Sequence, residues 1–172
     1  MKNIKITYYE SLSRYLKDIS LAEAMEMISK GKVQNEVEQA RIRLAKGDKD
    51  MYDKVKKKLP AVTFSGTFKG GRRTSFLNQY SNLVILDLDH IEEDLLELKK
   101  AVISDPYTLA VFVSPSNSGL KVLVRVDSCQ EDHKGAFNQV ADYYEQLLGK
   151  SVDRSGKDIT RLCSYPMIPI YM

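Results

Sequence analysis

Residues 83–149 constrain the fold most, because strand-like and helix-like patterns alternate along them in one order. Residues 83–86 form a continuous apolar run, as in a buried strand, and the apolar residues after them recur at helical spacing. Two β-branched runs, 109–113 and 122–126, are separated by a turn-rich segment short enough for an antiparallel hairpin. A second helical pattern then ends at Gly149. The order β-α-β-β-α is the split βαβ arrangement of ferredoxin-like domains.

We therefore expect an α+β protein with a ferredoxin-like core and an antiparallel sheet at residues 59–172. Residues 1–58 should form a basic N-terminal annex of one strand followed by helices. The chain is long enough for one substantial core and short for two large domains. The two regions should therefore form one compact unit.

Local signals place the remaining elements. Ser20 and Ser128 each begin a capping box, with Glu23 and Glu131 three residues later, so a helix should start at each. Further elements are expected as a strand at 4–8, helices at 33–46 and 48–58, a strand at 63–71 and a last strand near 167–171.

Asp87 and Asp89 follow the apolar run and are the first candidates for chemistry. Strand side chains alternate between faces, so both carboxylates should point the same way, with Cα atoms about 7 Å apart. At the end of a central strand they would repel each other unless a cation or basic side chains compensated. Their hard oxygens suit Mg²⁺ or Mn²⁺. The alternative is that Asp89 simply begins a loop and caps the next helix.

Basic and hydroxyl side chains surround the hairpin. Lys121 and Arg125 share one face of its second strand, where they could hold phosphates near the two aspartates. A structural salt bridge between strands is the alternative. Ser116 and Ser118 lie in the hairpin turn, whose backbone N–H groups could cradle an anion, although the turn matches no phosphate-loop motif.

A third carboxylate, Asp153, follows the last helix of this pattern, and Arg161 lies eight residues after it. Asp153 could complete a metal site, and Arg161 could neutralise a phosphate beside it. Both residue types are also common in surface turns, which leaves a structural role open.

Positive charge is concentrated in the first half of the chain. Residues 1–73 hold 17 Lys and Arg against 9 Asp and Glu, a net charge of +8, whereas the remainder has a net charge of −5. Lysine-rich clusters contact phosphate backbones without reading sequence, although solvated helices would have the same composition. The candidate nucleic-acid-binding residues are Lys54, Lys56, Lys57, Lys58, Arg72 and Arg73.

Other classes of protein fit poorly. No run approaches the roughly 18 consecutive apolar residues of a membrane helix, and no secretory signal begins the chain, so we expect a cytoplasmic protein without membrane contact. Cys129 and Cys163 are interpreted as packing residues. With His90 and His133 as the only histidines, a histidine-rich zinc site is excluded, and His133 is expected on a helix surface.

Residues 83–89, 114–122 and 153–163 together resemble the N-terminal domain of virulence-associated protein E-like primase proteins, within the archaeo-eukaryotic primase superfamily. The resemblance covers about residues 59–165. It implies a palm-like module in which Asp87 and Asp89 form the first metal motif. It also implies that Asp153 is the third-motif carboxylate and Arg161 the basic residue that follows it.

The second motif of that superfamily, Ser-x-His, is not matched. Ser118 is followed by Gly119, Leu120 and Lys121, so a lysine replaces the phosphate-contacting histidine. Lysine supplies positive charge without the same hydrogen-bond geometry, which leaves catalytic competence open. The resemblance further implies a role in mobile-element replication and a helicase-type ATPase as a neighbouring domain or partner protein.

These observations lead to a functional expectation. The chain should be a primase-like nucleotidyltransferase domain that binds a divalent cation and nucleoside triphosphates and acts on DNA or RNA. Phosphates would be held by Lys121, Arg125, Arg161 and the hairpin turn with Ser116 and Ser118, which we call the serine turn. The basic first half of the chain would hold the nucleic acid. Two alternatives stay open: a non-catalytic nucleic-acid-binding module with this fold, and a metal-dependent nuclease.

Overall fold

The computed structural model describes residues 4–11, 14–31, 33–91 and 94–164, which form an α+β fold with antiparallel sheets. The strands are β1 Lys5–Ser11, β2 Arg14–Ser20, β3 Ala61–Thr63, β4 Gly66–Phe68, β5 Leu77–Tyr80, β6 Leu83–Leu88, β7 Thr108–Val113, β8 Leu120–Arg125 and β9 Cys163–Ser164. The helices are α1 Leu21–Ser29, α2 Gln34–Ala45, α3 Lys49–Lys56, α4 Leu95–Ser104 and α5 His133–Leu148.

The expected α+β class is confirmed, and the core has the expected β-α-β-β-α order. Its sheet has the strand order β6-β8-β7, with both neighbouring pairs antiparallel, so β6 and β7 run parallel on either side of β8. The helices α4 and α5 follow β6 and β8 along the chain. Among the described residues β6 is an edge strand of this sheet and not the central strand that was expected. The hairpin returns β8 into the space between β6 and β7, which makes β8 the central strand.

This core sheet has an apolar core on each face. Leu83, Ile85 and Leu123 lie in one buried cluster with residues of β1 and α1. Phe112 belongs to the same cluster and stacks on Phe64 at 6.0 Å between ring centroids. The alternate side chains of β6, β7 and β8 lie in a second cluster with α4 and α5. Because both faces are buried, polar chemistry is confined to the ends of this sheet.

The N-terminal region shares a sheet with the core region. A second sheet has the order β2-β1-β3-β9, so β1 pairs with β3 across the boundary expected at residue 58. The three N-terminal helices are confirmed, and the Ser20 hydroxyl accepts a hydrogen bond from the Glu23 amide at 3.1 Å at the start of α1. Gly31, with φ +61°, follows the end of this helix.

Several local expectations were wrong. The strand expected at 63–71 is two strands, because the chain turns at residues 64–65 between β3 and β4. The strands β2 and β5 were not anticipated, and the strand expected near 167–171 lies outside the described residues. The capping box at Ser128 does not begin a helix. The Ser128 hydroxyl lies 3.0 Å from the Tyr80 hydroxyl, and α5 starts at His133.

Two further corrections concern burial. Cys163 is buried, as a packing residue should be, whereas Cys129 is exposed. His133 is not on a helix surface, since only 3% of it is exposed and its Nδ1 lies 3.0 Å from the Tyr80 hydroxyl. Burial lowers the pKa of His133 to about 4. Among the described residues, no helix is both long enough and apolar enough to cross a membrane.

The buried His133 should make the fold acid-sensitive. Its folded-state pKa of about 4 lies below the ordinary value of 6.5, so the stabilisation is fully present above about pH 6.5 and is lost as the pH falls toward 4. We expect this residue to lower the free energy of unfolding by about 3 kcal/mol between about pH 7 and about pH 4. Urea unfolding across that range measures the loss. His133→Gln should flatten the profile, whereas His90→Gln, at an exposed position, should not.

Candidate functional site

Three carboxylates meet at one end of the core sheet. Asp87 is in β6, Asp89 follows the end of that strand, and Asp153 precedes the short 3₁₀ turn Arg154–Lys157 after α5. Each offers an oxygen, and these oxygens all lie within 4.8 Å of one another. The Asp153 amide donates to the Asp87 carbonyl at 2.8 Å, which fixes the segment after α5 beside β6. The expected convergence of the three side chains is therefore present.

Two basic side chains pair with this cluster. Lys121 lies directly opposite Asp87 in the β6–β8 register and forms a salt bridge with its Oδ2 atom. Arg161 lies 3.2 Å from Asp153 Oδ2 and 3.7 Å from Asp87 Oδ2. The structural alternative for Lys121, a cross-strand salt bridge, is therefore observed. It places the ammonium group within the acidic cluster.

The side chains of Asp89, Asp153 and Lys121 have different electrostatic surroundings. Partial burial, then the charge of Asp87, raises the pKa of Asp89. Partial burial acts in the same direction at Asp153, but hydrogen bonds from Ser155 and the charge of Arg161 outweigh it and lower the pKa of Asp153. Burial opposes the charged form of Lys121. The Cys163 sulfur and the Asp87 carboxylate outweigh that effect, and the pKa of Lys121 is raised.

One carboxylate oxygen of the cluster has no protein partner. Asp87 Oδ1 is buried and accepts no hydrogen bond from any described residue, while Oδ2 accepts from Lys121. Asp89 forms no ion pair within the described part of the chain. A buried carboxylate oxygen without a donor is costly unless a cation or water meets it. The cluster therefore has an unpaired acceptor close to two other carboxylates.

The serine turn between β7 and β8 is held against the end of β6. The Ser118 carbonyl accepts a hydrogen bond from the Ile91 amide at 3.0 Å. A Cβ added at Gly119 would lie 2.3 Å from the Leu88 carbonyl oxygen and 3.2 Å from Asp89 Oδ1, so only glycine permits this approach. Arg41 of α2 donates to the Pro115 carbonyl at 3.0 Å and fixes the turn from outside.

Two clefts flank the acidic cluster. One, of about 710 Å³, lies between α3 and the serine turn and is lined by Asp89, Ser116 and Ser118. The other, of about 320 Å³, is lined by Arg72 and Arg161. A ligand in the larger cleft would meet Asp89, and a ligand in the smaller cleft would meet Arg161, which pairs with Asp153.

Not all of the expected site residues come together. Arg125 is exposed at the opposite end of β8, opposite Leu83, and about 13 Å along the strand from Lys121. Of the lysine cluster, Lys56 lines the larger cleft, whereas Lys54, Lys57 and Lys58 do not line it. Arg72 lines the smaller cleft and Arg73 is exposed beside it in sequence.

Several residues of this region were not singled out from the sequence. Lys49 and Tyr52 line the larger cleft from α3, and Ser155 donates to Asp153 through its hydroxyl at 2.7 Å. The i, i+3 spacing of Lys49 and Tyr52 marks one helix face, but nothing in the sequence indicates what that face meets. The sequence Asp153-Arg154-Ser155 is the one available signal for Ser155, since aspartate commonly accepts from the backbone two residues on.

The ion pairing predicts opposite stability effects at the two strand carboxylates in metal-free buffer. Asp87→Asn leaves the 12%-exposed Lys121 side chain without its partner, and we expect it to lower the free energy of unfolding by about 3 kcal/mol. Asp89→Asn removes a carboxylate that repels Asp87, so stability should be unchanged or higher. Urea unfolding with a chelator present measures both. Equal losses in the two variants would contradict the assignment of Lys121 to Asp87.

Comparisons with known proteins correct the family expected from the sequence. No curated protein and no solved structure matches the chain. One family model matches, the BT4734-like, N-terminal domain, over residues 54–167, about two thirds of the chain. This is a different family from the virulence-associated protein E-like primase domain, and no primase family matches, so that resemblance was wrong. The helicase-type partner and the mobile-element role had no other support. The chain belongs to the BT4734-like, N-terminal domain family.

Proposed function

We propose that Asp87, Asp89 and Asp153 bind a divalent cation, Mg²⁺ or Mn²⁺. The support is the donor set: three carboxylates whose ligand oxygens lie within 4.8 Å of one another, and a buried oxygen of Asp87 that has no partner. Carboxylate oxygens are the ligands that both ions prefer. A cation would also favour the ionised form of Asp89, whose pKa is raised by burial and by Asp87. The residues present therefore fit such an ion.

The basic residues of the cluster have positioning roles in this proposal. Lys121 holds Asp87 Oδ2, which leaves Oδ1 as the atom available to an ion. Arg161 and Ser155 hold Asp153 Oδ2, at 3.2 Å and 2.7 Å, and keep its carboxylate oriented toward the cluster. Neither Lys121 nor Arg161 forms an ion pair with Asp89, which keeps its negative charge available.

We further propose nucleotidyl transfer from nucleoside triphosphates to DNA or RNA as the activity. A bound divalent cation supplies charge neutralisation at phosphates and makes an attacking hydroxyl more acidic. The chain itself positions the substrates, because the cluster lies between two clefts that contain Ser116, Ser118, Arg72 and Arg161. The observation that carries the proposal is this placement of three convergent carboxylates between two clefts with cationic and hydroxyl side chains. A cytoplasmic location is part of the proposal.

A non-catalytic nucleic-acid-binding module is the second candidate. The observation that favours it is that Lys121 and Arg161 already pair with two of the three carboxylates, which would let the cluster serve a structural purpose. In that case the carboxylates would join β6 to the segment after α5, and no cation would be needed.

Activity with Mn²⁺ distinguishes these possibilities. Purified protein is incubated with a labelled primer annealed to a template, nucleoside triphosphates and Mn²⁺. We expect extension that falls by about 10²-fold or more in Asp89→Asn, since the loss of one charge-stabilising group has an effect of that order. Asp127→Asn, at an exposed position away from the cluster, is the matched control. Shortening of the label would instead identify a nuclease, and a mobility shift without either would identify a binding module.

The lysines after Tyr52 that lie outside the larger cleft should bind nucleic acid through charge. Lys54→Glu, Lys57→Glu and Lys58→Glu combined should weaken DNA binding and make the dependence of log affinity on log salt shallower, by about one for each phosphate that the variant no longer binds. Fluorescence anisotropy at several salt concentrations measures both quantities. Lys99→Glu combined with Lys100→Glu on α4 is the control, because this helix lies in the acidic half of the chain. Unchanged affinity in the triple variant would remove these lysines from the interface.

A further inference from the structure

The larger cleft has an unexplained polar group in its wall. Lys49, Tyr52 and Lys56 lie on one side of α3, at i, i+3 and i+7, and all three line the cleft. Tyr52 is only 5% exposed, and its hydroxyl is buried without a hydrogen-bond partner in the described part of the chain. Buried hydroxyls are normally satisfied by protein, water or ligand. The Tyr52 hydroxyl is thus an unused donor beside a cleft that reaches Asp89.

The opposite wall is a fixed row of hydroxyl groups. Ser114 Oγ lies 2.9 Å from Ser116 Oγ, which lies 2.6 Å from Ser118 Oγ. Arg41 holds the carbonyls of Ser114 and Pro115, so this wall is set before any ligand arrives. Preorganised hydroxyl groups of this kind can donate to phosphate oxygens without a large ordering cost.

The net charge of the cleft would become positive if a divalent cation were bound. Lys49 and Lys56 are balanced by Asp53 and Asp89, which line the same cleft. An anionic ligand would therefore gain little attraction from the side chains alone. A divalent cation at Asp89 would reverse this balance, so anion binding here should require the metal.

The size and composition of the cleft favour a small ligand over a polymer. Its volume of about 710 Å³ is in the range of small-molecule sites, which is roughly 300–1,000 Å³. Leu44 and Leu95 give it apolar surface. Two lysines suited to a polymer, Lys54 and Lys57, do not line it.

We infer that this cleft binds a nucleoside triphosphate. Lys49, Lys56, Ser116 and Ser118 contact its phosphates, the Tyr52 hydroxyl donates to it, and the nucleoside packs on Leu44 and Leu95. This inference rests on the proposed function and assigns its nucleotide to the α3 side of the cluster. The smaller cleft with Arg72 and Arg161 is left for the other substrate.

Nucleotide binding and metal binding are measured separately to test the inference. A fluorescent, non-hydrolysable nucleoside triphosphate is titrated by anisotropy with and without Mn²⁺, and Mn²⁺ alone is titrated by electron paramagnetic resonance. Lys49→Ala and Lys56→Ala should each weaken nucleotide binding by about tenfold, as expected when one hydrogen bond to a charged group is removed, with Mn²⁺ affinity retained. Lys46→Ala, an exposed lysine between α2 and α3 that does not line the cleft, should match the parent.

Tyr52→Phe tests whether the Tyr52 hydroxyl contacts the ligand. If the inference is right, nucleotide affinity falls several-fold while the melting temperature is unchanged or higher, since the removed hydroxyl had no partner among the described residues. If Lys49→Ala, Lys56→Ala and Tyr52→Phe all bind nucleotide like the parent while Mn²⁺ still binds the carboxylates, the inference is overturned and the proposed function stands. Failure of the parent to bind Mn²⁺ overturns both. Binding of an oligonucleotide, but not of the triphosphate, also overturns the inference.

Discussion

The pairing of Asp87 with Lys121 is the interaction on which the candidate site depends. It joins the acidic end of β6 to β8, the central strand of the described core sheet. In this register the apolar residues of both strands are buried in the clusters on the two faces of the sheet. A shift of one residue would turn Asp87 into the core beneath α4 and α5, among the apolar side chains of the second cluster, where a buried charge is costly. The alternation of apolar residues therefore determines the register of β6 and β8, and the register determines that Lys121 lies opposite Asp87.

The same alternation explains why the site lies at the end of the sheet. Both faces of β6 and β8 are covered, so a charged side chain can remain hydrated only where the strands end. The end of β6, the serine turn and the segment after α5 meet there, and backbone hydrogen bonds at Ile91 and Asp153 hold them together. Three segments distant in sequence thus become one site through packing, since the carboxylates at the end of β6 and after α5 repel one another.

Periodicity predicted the elements that bury apolar faces and failed where local signals competed with tertiary contacts. The capping box at Ser20 works because the next residues belong to an amphipathic helix. At Ser128 the hydroxyl contacts Tyr80 instead, and α5 begins later, at His133. The polarity of His133 suggested a surface position, yet the same tyrosine satisfies its ring nitrogen in the core. Arg125 was placed on the correct strand face, but face alone says nothing about distance along the strand.

If the proposed divalent cation binds, the arrangement of charges makes anion binding at the cluster depend on it. Lys121 pairs with Asp87, and Arg161 pairs with both Asp153 and Asp87, so Asp89 carries the one negative charge of the cluster that has no ion pair among the described residues. A phosphate would be repelled by that charge, whereas the lysines that follow Tyr52 would attract it from a distance. Salt screens the long-range attraction by the lysines, since the Debye length is about 10 Å at about 0.1 M. It screens short-range interactions in a partly buried cluster much less. Under the proposed function, high salt should therefore weaken the attraction of nucleic acid to these lysines more than it weakens the proposed binding of a cation at Asp89.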